Sequence, residues 1–233
     1  MCNSLPYSSN MSIVNDLTER ANQDIVWGTC NIQRLMEQSE KTEIVREAYC
    51  CGATLHRGYY HPSPVYDLIV GNTKRGRLSA KSTRPYSHRY CFDRNDKLVR
   101  IEYLHDGRVS HIEYLDYCEQ FVRGITVDCN GFLSAVTEEQ YSHNRIVSFS
   151  ISQCYHVNGA YTCFDYHKEE YCYDEYGLSK CQFVNLTPGS GYMVDEVYSF
   201  DRENGFLVSF SPDTADTNAD QRVTYTIRKR RKA

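Results

Sequence analysis

"RYCFDRNDKLVRIEYLHDGRVSHIEYL", residues 89–115, carries the tetrapeptide Ile-Glu-Tyr-Leu twice, at 101–104 and 112–115, on either side of Asp106-Gly107. Asp-Gly between two runs of β-branched and aromatic residues signals a hairpin, because a two-residue type I′ turn requires positive φ at both central positions. Such a turn sets Val99 opposite Tyr114 and Ile101 opposite Ile112 on one face. Arg100 then meets Glu113 and Glu102 meets His111 on the other, while Leu98–Leu115 and Leu104–Val109 close the ends. One register thus yields an apolar face and a charge-paired face. The duplicated tetrapeptide is expected to be the two arms of a hairpin, not a catalytic loop.

The same pattern continues downstream. Asn130-Gly131 sets Ile125 opposite Val136 and Arg123 opposite Glu138, and Asn204-Gly205 in "FDRENGFLVSF" suggests a third turn. Further strands are expected at 145–152, 160–166, 180–186 and 222–228. Tyrosine, with 20 copies against 9 Phe and 1 Trp, suits a pleated surface that is half buried and half wet. Upstream, Ile13, Leu17, Ala21 and Ile25 form one helical stripe after Ser12 as N-cap. Gly28 interrupts it, and a second helix is expected from about Thr29 to Tyr49. Residues 52–89 are rich in Gly, Pro, Ser and basic side chains, with "VYDLIV" at 65–70 as their one strand.

The expected organisation is therefore a helical segment at 1–51, a basic connector at 52–89, an acidic sheet at 90–212, and a final strand with a basic tail at 213–233. The fold class is mostly β, of α+β type. It is a large twisted antiparallel meander of roughly eight to ten strands beside an N-terminal helical pair.

The turns belong to a larger repeat. Tyr90-Cys-Phe-Asp-Arg-Asn-Asp-Lys-Leu98, Tyr171-Cys-Tyr-Asp-Glu-Tyr-Gly-Leu178 and Tyr198-Ser-Phe-Asp-Arg-Glu-Asn-Gly-Phe-Leu207 share an aromatic-x-aromatic-Asp start, a turn and a Leu. Val127-Asp-Cys-Asn-Gly-Phe-Leu133 is a weaker copy. This pattern resembles the YD repeat of Rhs-type proteins, over roughly residues 90–210. The repeat Asp residues, 93, 128, 174 and 201, are unevenly spaced, so the chain is neither a regular solenoid nor a toxin-enclosing shell. The resemblance implies a sheet of that type and a bacterial setting of polymorphic toxins and their immunity proteins. The motif itself needs no ligand: aromatics pack across strands, Asp accepts turn amides, and Leu starts the returning strand.

Charge is segregated along the chain. Residues 1–89 carry 11 Lys and Arg against 8 Asp and Glu, residues 90–212 carry 9 against 19, and residues 213–233 carry 6 against 3. An acidic middle disfavours nucleic acid, since phosphate recognition needs clustered positive charge. It suits a cationic protein partner, and equally a well-solvated sheet face. The Arg, Lys, Tyr and His of the connector invite an RNA-binding reading, but the plainer one is a basic loop joining helices to an acidic sheet. "RKRRKA" at the end reads as a solubilising tail.

Reactive constellations are scarce. No P-loop, dinucleotide fingerprint or Gly-x-Ser-x-Gly occurs. Cys163, Cys172 and Cys181 recur every nine residues, a spacing that matches no zinc motif. A Cys–His nucleophile drawn from Cys154 and His156, or from Cys91 with His88 or His105, would need a positive niche that the acidic middle opposes. Glu138-Glu139 and Glu169-Glu170 are adjacent, so on a strand they point to opposite faces and form no glycosidase pair. No cofactor or metal is expected. The N-terminus lacks a basic then apolar signal pattern and no run approaches spanning length, so the 11 cysteines read as reduced thiols of a cytoplasmic protein without a membrane partner.

The functional expectation is a non-catalytic binding protein, at its sharpest an immunity protein that occludes a cognate toxin or other basic protein. Glu102, Glu113, Asp116, Glu138 and Glu139 would engage its Lys and Arg. Tyr103, Tyr114 and Tyr117 would serve as anchors, with His111 on the same charged hairpin face as Glu102 and Glu113. A carbohydrate-binding sheet and a cytosolic Cys/His enzyme are the alternatives.

Overall fold

The computed structural model describes residues 7–71, 73–81, 85–203, 206–212 and 225–226, with side chains between 11 and 201. One helix, α1 (Tyr7–Lys41), precedes β1 (Arg46–Cys51). A short helix α2 (Tyr66–Ile69) and β2 (Arg77–Ser79) follow. Then come β3 (His88–Phe92), β4 (Leu98–His105), β5 (Arg108–Tyr117), β6 (Phe121–Asp128), β7 (Leu133–Ser142) and β8 (Arg145–Val157). The chain continues through β9 (Ala160–Asp174), β10 (Gly177–Thr187), β11 (Tyr192–Glu203), β12 (Phe206–Pro212) and β13 (Tyr225–Thr226). All 13 strands form one open antiparallel sheet in sequence order, except that β1 lies between β3 and β2. The third expected turn, at Asn204-Gly205, lies outside the described residues, as does the tail beyond 226.

The expected helical pair is one continuous helix, and Gly28 sits inside it rather than breaking it. A Cβ at Gly28 would stand 2.5 Å from Val136 Cγ2 and 3.1 Å from Leu133 Cδ2, so the glycine lets the helix sit directly on these β7 side chains. Ala21, Ile25 and Leu35 point into a core with Tyr114, Ile125, Val127, Leu133, Val136, Cys154 and Tyr166. Each such Ile or Leu contributes about 1.5–3 kcal/mol by leaving water. The end of the expected second helix, Arg46 to Tyr49, is instead strand β1, which pairs with β3.

The 65–70 strand is also corrected. Its residues Tyr66–Ile69 form one helical turn, because Ser63 Oγ accepts the N–H of Val65 (3.2 Å) and of Tyr66 (2.9 Å) in the manner of an N-cap. This turn belongs to residues 52–71, a strap that leaves β1 and crosses the sheet face opposite α1. Its base is closed where Lys74 O accepts the N–H of Thr54 (2.9 Å) and Leu55 (3.3 Å). Thirteen strands exceed the usual limit of about ten for an open sheet. Here α1 covers one face and the strap part of the other.

The hairpins hold one feature that alternation does not reveal. Seven of them carry a register shift a few residues past the turn. In the repeat motif the extra residue directly follows the Leu: Val99, Ser134, Ser179 and Val208. In the opening hairpin it is Ser110, whose hydroxyl donates to Tyr103 O at 3.2 Å. Leu104–Val109 pair as expected, but beyond the bulge Ile101 faces Glu113, Glu102 faces Ile112 and Arg100 faces Tyr114. The one-residue slip exchanges the faces of half the hairpin. In β6–β7 the expected pairs Ile125–Val136 and Arg123–Glu138 stand.

The motif's Asp performs the local chemistry it suggests. Asp93 Oδ1 accepts the N–H of Asn95 and Lys97, Asp128 Oδ1 those of Asn130 and Phe132, and Asp174 Oδ1 that of Tyr176, all at 2.8–2.9 Å. The leading tyrosines, Tyr90, Tyr171 and Tyr198, are all buried.

Candidate functional site

The bulge after Tyr103 and the crossing strap together decide where the acidic residues go. On the strap face, Glu113 of β5 and Glu139 of β7 converge on Arg57, which is 3% exposed. Arg57 Nε donates to Glu113 Oε1 at 2.8 Å, Nη2 to Thr137 Oγ1 at 2.7 Å, and Nη1 to Glu139. Tyr103 OH donates to Glu113 Oε2 at 2.8 Å, and His56 Nε2 lies 3.1 Å from the same hydroxyl. Gly124 makes room for the cluster: a Cβ there would collide with Glu113 Oε1 and Thr137 Oγ1 and stand 2.8 Å from Arg57 Nη2. Burial pushes the Glu113 carboxyl up, but Arg57, His56 and the Tyr103 hydrogen bond outweigh it and hold the group below its ordinary value.

A second knot lies farther along the strap. Ser63 Oγ donates to Glu169 Oε2 at 2.6 Å, Tyr171 OH donates to the same oxygen at 2.8 Å, and His167 Nε2 is 2.7 Å from Glu169 Oε1. Ser63, His167 and Glu169 are all buried.

On the helix face a cross-strand row runs Asp116–Arg123–Glu138–Ser150–Lys168–Val184–Asp195. Helix residues seven apart meet its first half. Arg34 Nη2 donates to Asp116 at 2.6 Å, Trp27 lies 4.7 Å beneath the Arg123 guanidinium, and Arg20 Nη2 donates to Glu138 at 3.0 Å. Beyond Arg20 the floor carries the small Ser148 and Ser150 while the helix offers Asp16, Leu17 and Ile13, so the two surfaces part. A cleft of about 310 Å³ opens there, lined by Asp16, Leu17, Arg20, Glu138, Gln140, Ser148, Ser150, Tyr166, Lys168 and Glu170. A neighbouring hollow of about 180 Å³ shares Leu17, Lys168 and Glu170 and adds Gln182 and Asp195. Four carboxylates line the combined cleft against two cations. Both cations are already matched, Arg20 by Glu138 and Asp24, and Lys168 by Glu170 at 2.5 Å. Among the described residues Asp195 accepts the Gln182 amide at 3.0 Å and makes no ion pair, and Asp16 is exposed without one.

The carboxylates expected to meet a partner are thus mostly satisfied by the chain itself. Glu102 is buried between Arg89 and Arg100, Glu113 and Glu139 are buried on Arg57, and Asp116 is bound by Arg34. Tyr114 is 7% exposed beneath α1. Tyr103 is tied to Glu113, and Tyr117 OH donates to Leu98 O at 2.7 Å. His111 is half-buried opposite Asp128. Tyr103, His111, Asp116 and Tyr117 keep partial exposure, and Glu138, 6% exposed, borders the open cleft. Reading the sequence alone missed Asp16, Glu170 and Asp195, which the register collects on one face.

The connector's Arg57, Arg75 and Arg89 are likewise spent on Glu113, Asp67 and Glu102. Burial pushes the Cys91 thiol up to about 11 and Cys154 up to about 12, far from the thiolate a nucleophile requires. Among the described residues no His, Cys, Asp and Glu cluster could hold a metal ion, and no described helix is long and apolar enough to cross a membrane. No family model and no curated protein matches this chain.

Proposed function

We propose that this chain is a non-catalytic protein-binding module, in its sharpest form a cytoplasmic immunity protein that occludes a cognate basic toxin. One observation carries the reading. The helix–sheet cleft gathers four carboxylates against two cations, whereas Glu102, Glu113, Asp116 and Glu139 are each paired with an arginine of the chain itself. A cleft lined mostly by charged and polar side chains, unlike the mostly apolar pockets that take small ligands, suits one or two side chains of a protein loop. A Lys or Arg entering over Lys168 and Ser150 would meet Glu170, Asp195 and Asp16, with Tyr166 and Leu17 covering its aliphatic stem. The Asp-anchored hairpins support kinship with YD-repeat sheets, and through it the toxin–immunity setting.

The test is co-purification with the product of the adjacent reading frame, followed by association kinetics at rising salt. Association is expected to slow with added salt, and the double reversal E170K/D195K is expected to slow it by about tenfold or more. A salt-independent on-rate, or one untouched by the reversal, would exclude the cleft as the docking site.

A further inference from the structure

We propose that residues 52–71 form an acid-releasable cover over the sheet, with His61 as its trigger. His61 is 6% exposed, and its Nδ1 accepts the N–H of Ser63 at 3.1 Å. A proton on Nδ1 would set donor against donor and displace Ser63, whose hydroxyl accepts the amides of Val65 and Tyr66 at the start of α2 and ties the strap to Glu169 of β9.

Little around His61 would welcome the charge. Its ring stacks on Tyr66 (5.1 Å) and meets Phe149 of β8 edge-on (5.3 Å). Arg57 and His56 of the strap, Arg75 on the returning chain and His167 of β9 all oppose protonation. The carboxylates nearby are engaged: Glu169 by Ser63, Tyr171 and His167, and Asp67 by Arg75. Burial first, then these neighbours, hold His61 well below its ordinary value.

Two more histidines follow the same sense. His56 faces Tyr103 (3.1 Å), Thr126 (3.5 Å) and Glu113 (3.7 Å), with Arg57, Glu139 and His111 behind them. His88 of β3 faces Ser87 (2.9 Å), Tyr90 and Tyr103, with His56 and Glu113 beyond. Burial lowers both, His88 to about 4, and His56 Nδ1 and His88 Nε2 are buried without a hydrogen-bond partner among the described residues.

The direction of the pH effect follows. A released strap returns each ring to its ordinary value near 6.5, so the open form binds protons more readily. The closed cover is fully stable above about pH 6.5 and weakens as pH falls from there toward the depressed values. Gly52 (φ 69°) and Gly71 (φ 63°) bound the strap in left-handed conformations with open space around them, so both ends can turn without a side chain colliding. Opening uncovers Glu113, Glu139 and Glu169 and turns a sealed face into an anionic one.

Hydrogen–deuterium exchange on the full chain, corrected for intrinsic rates, tests this. Amides of residues 52–71 are expected to exchange about tenfold faster or more at pH 5 than at pH 7.5, with β6–β9 unchanged. The variant His61→Asn, which keeps an acceptor but cannot be protonated, is expected to reduce the acceleration to the smaller share that His56 and His88 supply. Protection independent of pH, acceleration shared equally by β6–β9, or full acceleration in H61N would each overturn the proposal. A second readout holds even if that variant fails to fold. In the wild-type chain the His61 ring resonance must titrate over the interval in which the strap opens, and titration elsewhere would remove His61 as trigger.

Discussion

Arg57 shows how much can rest on one side chain. It takes a left-handed φ of 57°, uncommon for a long side chain, and ends between two buried carboxylates above a glycine. A buried ion pair adds little when compared with well-packed apolar residues, but removing one member strands the rest. The variant R57M leaves Glu113 and Glu139 buried and unmatched. It is expected to cost about 3–5 kcal/mol, read as a lower urea midpoint. Adding E113Q and E139Q should restore part of that loss, since the stranded charges go too; an R57M chain as stable as wild type would mean the strap is not anchored there. The depressed Glu113 carboxyl contributes stability above about pH 4.5, lost as pH falls through its folded value. The histidine effect on the strap sets in near pH 6.5, before the Glu113 loss begins, so the two acid effects differ in their onset on a titration.

At the scale of the element, what was legible followed from local chemistry. Asp106 (φ 50°) and Gly107 (φ 75°) form the expected turn, Asp93, Asp128 and Asp174 accept the amides of theirs, and the meander follows because from β3 onward each strand pairs with the next. What was illegible depended on contacts distant in sequence. Val99, Ser134 and Ser179 look like ordinary strand residues, yet each is an inserted bulge residue. The hydroxyls of Ser134 and Ser179 donate to carbonyls of the facing strand, Thr126 O and Cys172 O, both at 3.1 Å. Ideal alternation through such a point pairs every later side chain with the wrong partner, while Glu113, on the face opposite Tyr114 as expected, is buried by the strap's Arg57, a contact distant in sequence. Asp16, Glu170 and Asp195 could not be joined into a site without the true register. Gly28 failed differently: a helix interruption and a close crossing ask for the same residue, and only the strand beneath distinguishes them. The variant G28V tests that distinction. Its side chain would overlap Val136 and Leu133, and overpacking of this kind costs about 1–3 kcal/mol. A lower melting temperature with helix content retained is expected, whereas a stabilised chain would show that the glycine serves only as a weak point in the helix.

For the whole molecule, charge segregation along the chain becomes charge pairing in space. Arg20, Arg34, Arg46, Arg57 and Arg89, all from the first 89 residues, close on Glu138, Asp116, Asp96, Glu113 with Glu139, and Glu102 of the acidic sheet. The cationic partner that the sheet's composition calls for is, in large part, its own N-terminal third. Such a sheet has no closed edge and gains its second and third layers only where α1 and the strap lie. Strands β5–β9 are covered on the helix side by Ala21, Ile25 and Leu35 and on the strap side by Arg57, Ser63 and Val65. The edge strand β2 has three residues, two of them exposed. Local opening free energy should therefore fall away from the doubly covered centre. Native-state hydrogen exchange is expected to show the slowest amides in β6–β8, near the global unfolding free energy, and progressively faster exchange toward β1–β2. Protection that stayed uniform to the β2 edge would mean the meander is held by strand pairing alone. The helix and strap would then contribute solubility rather than stability.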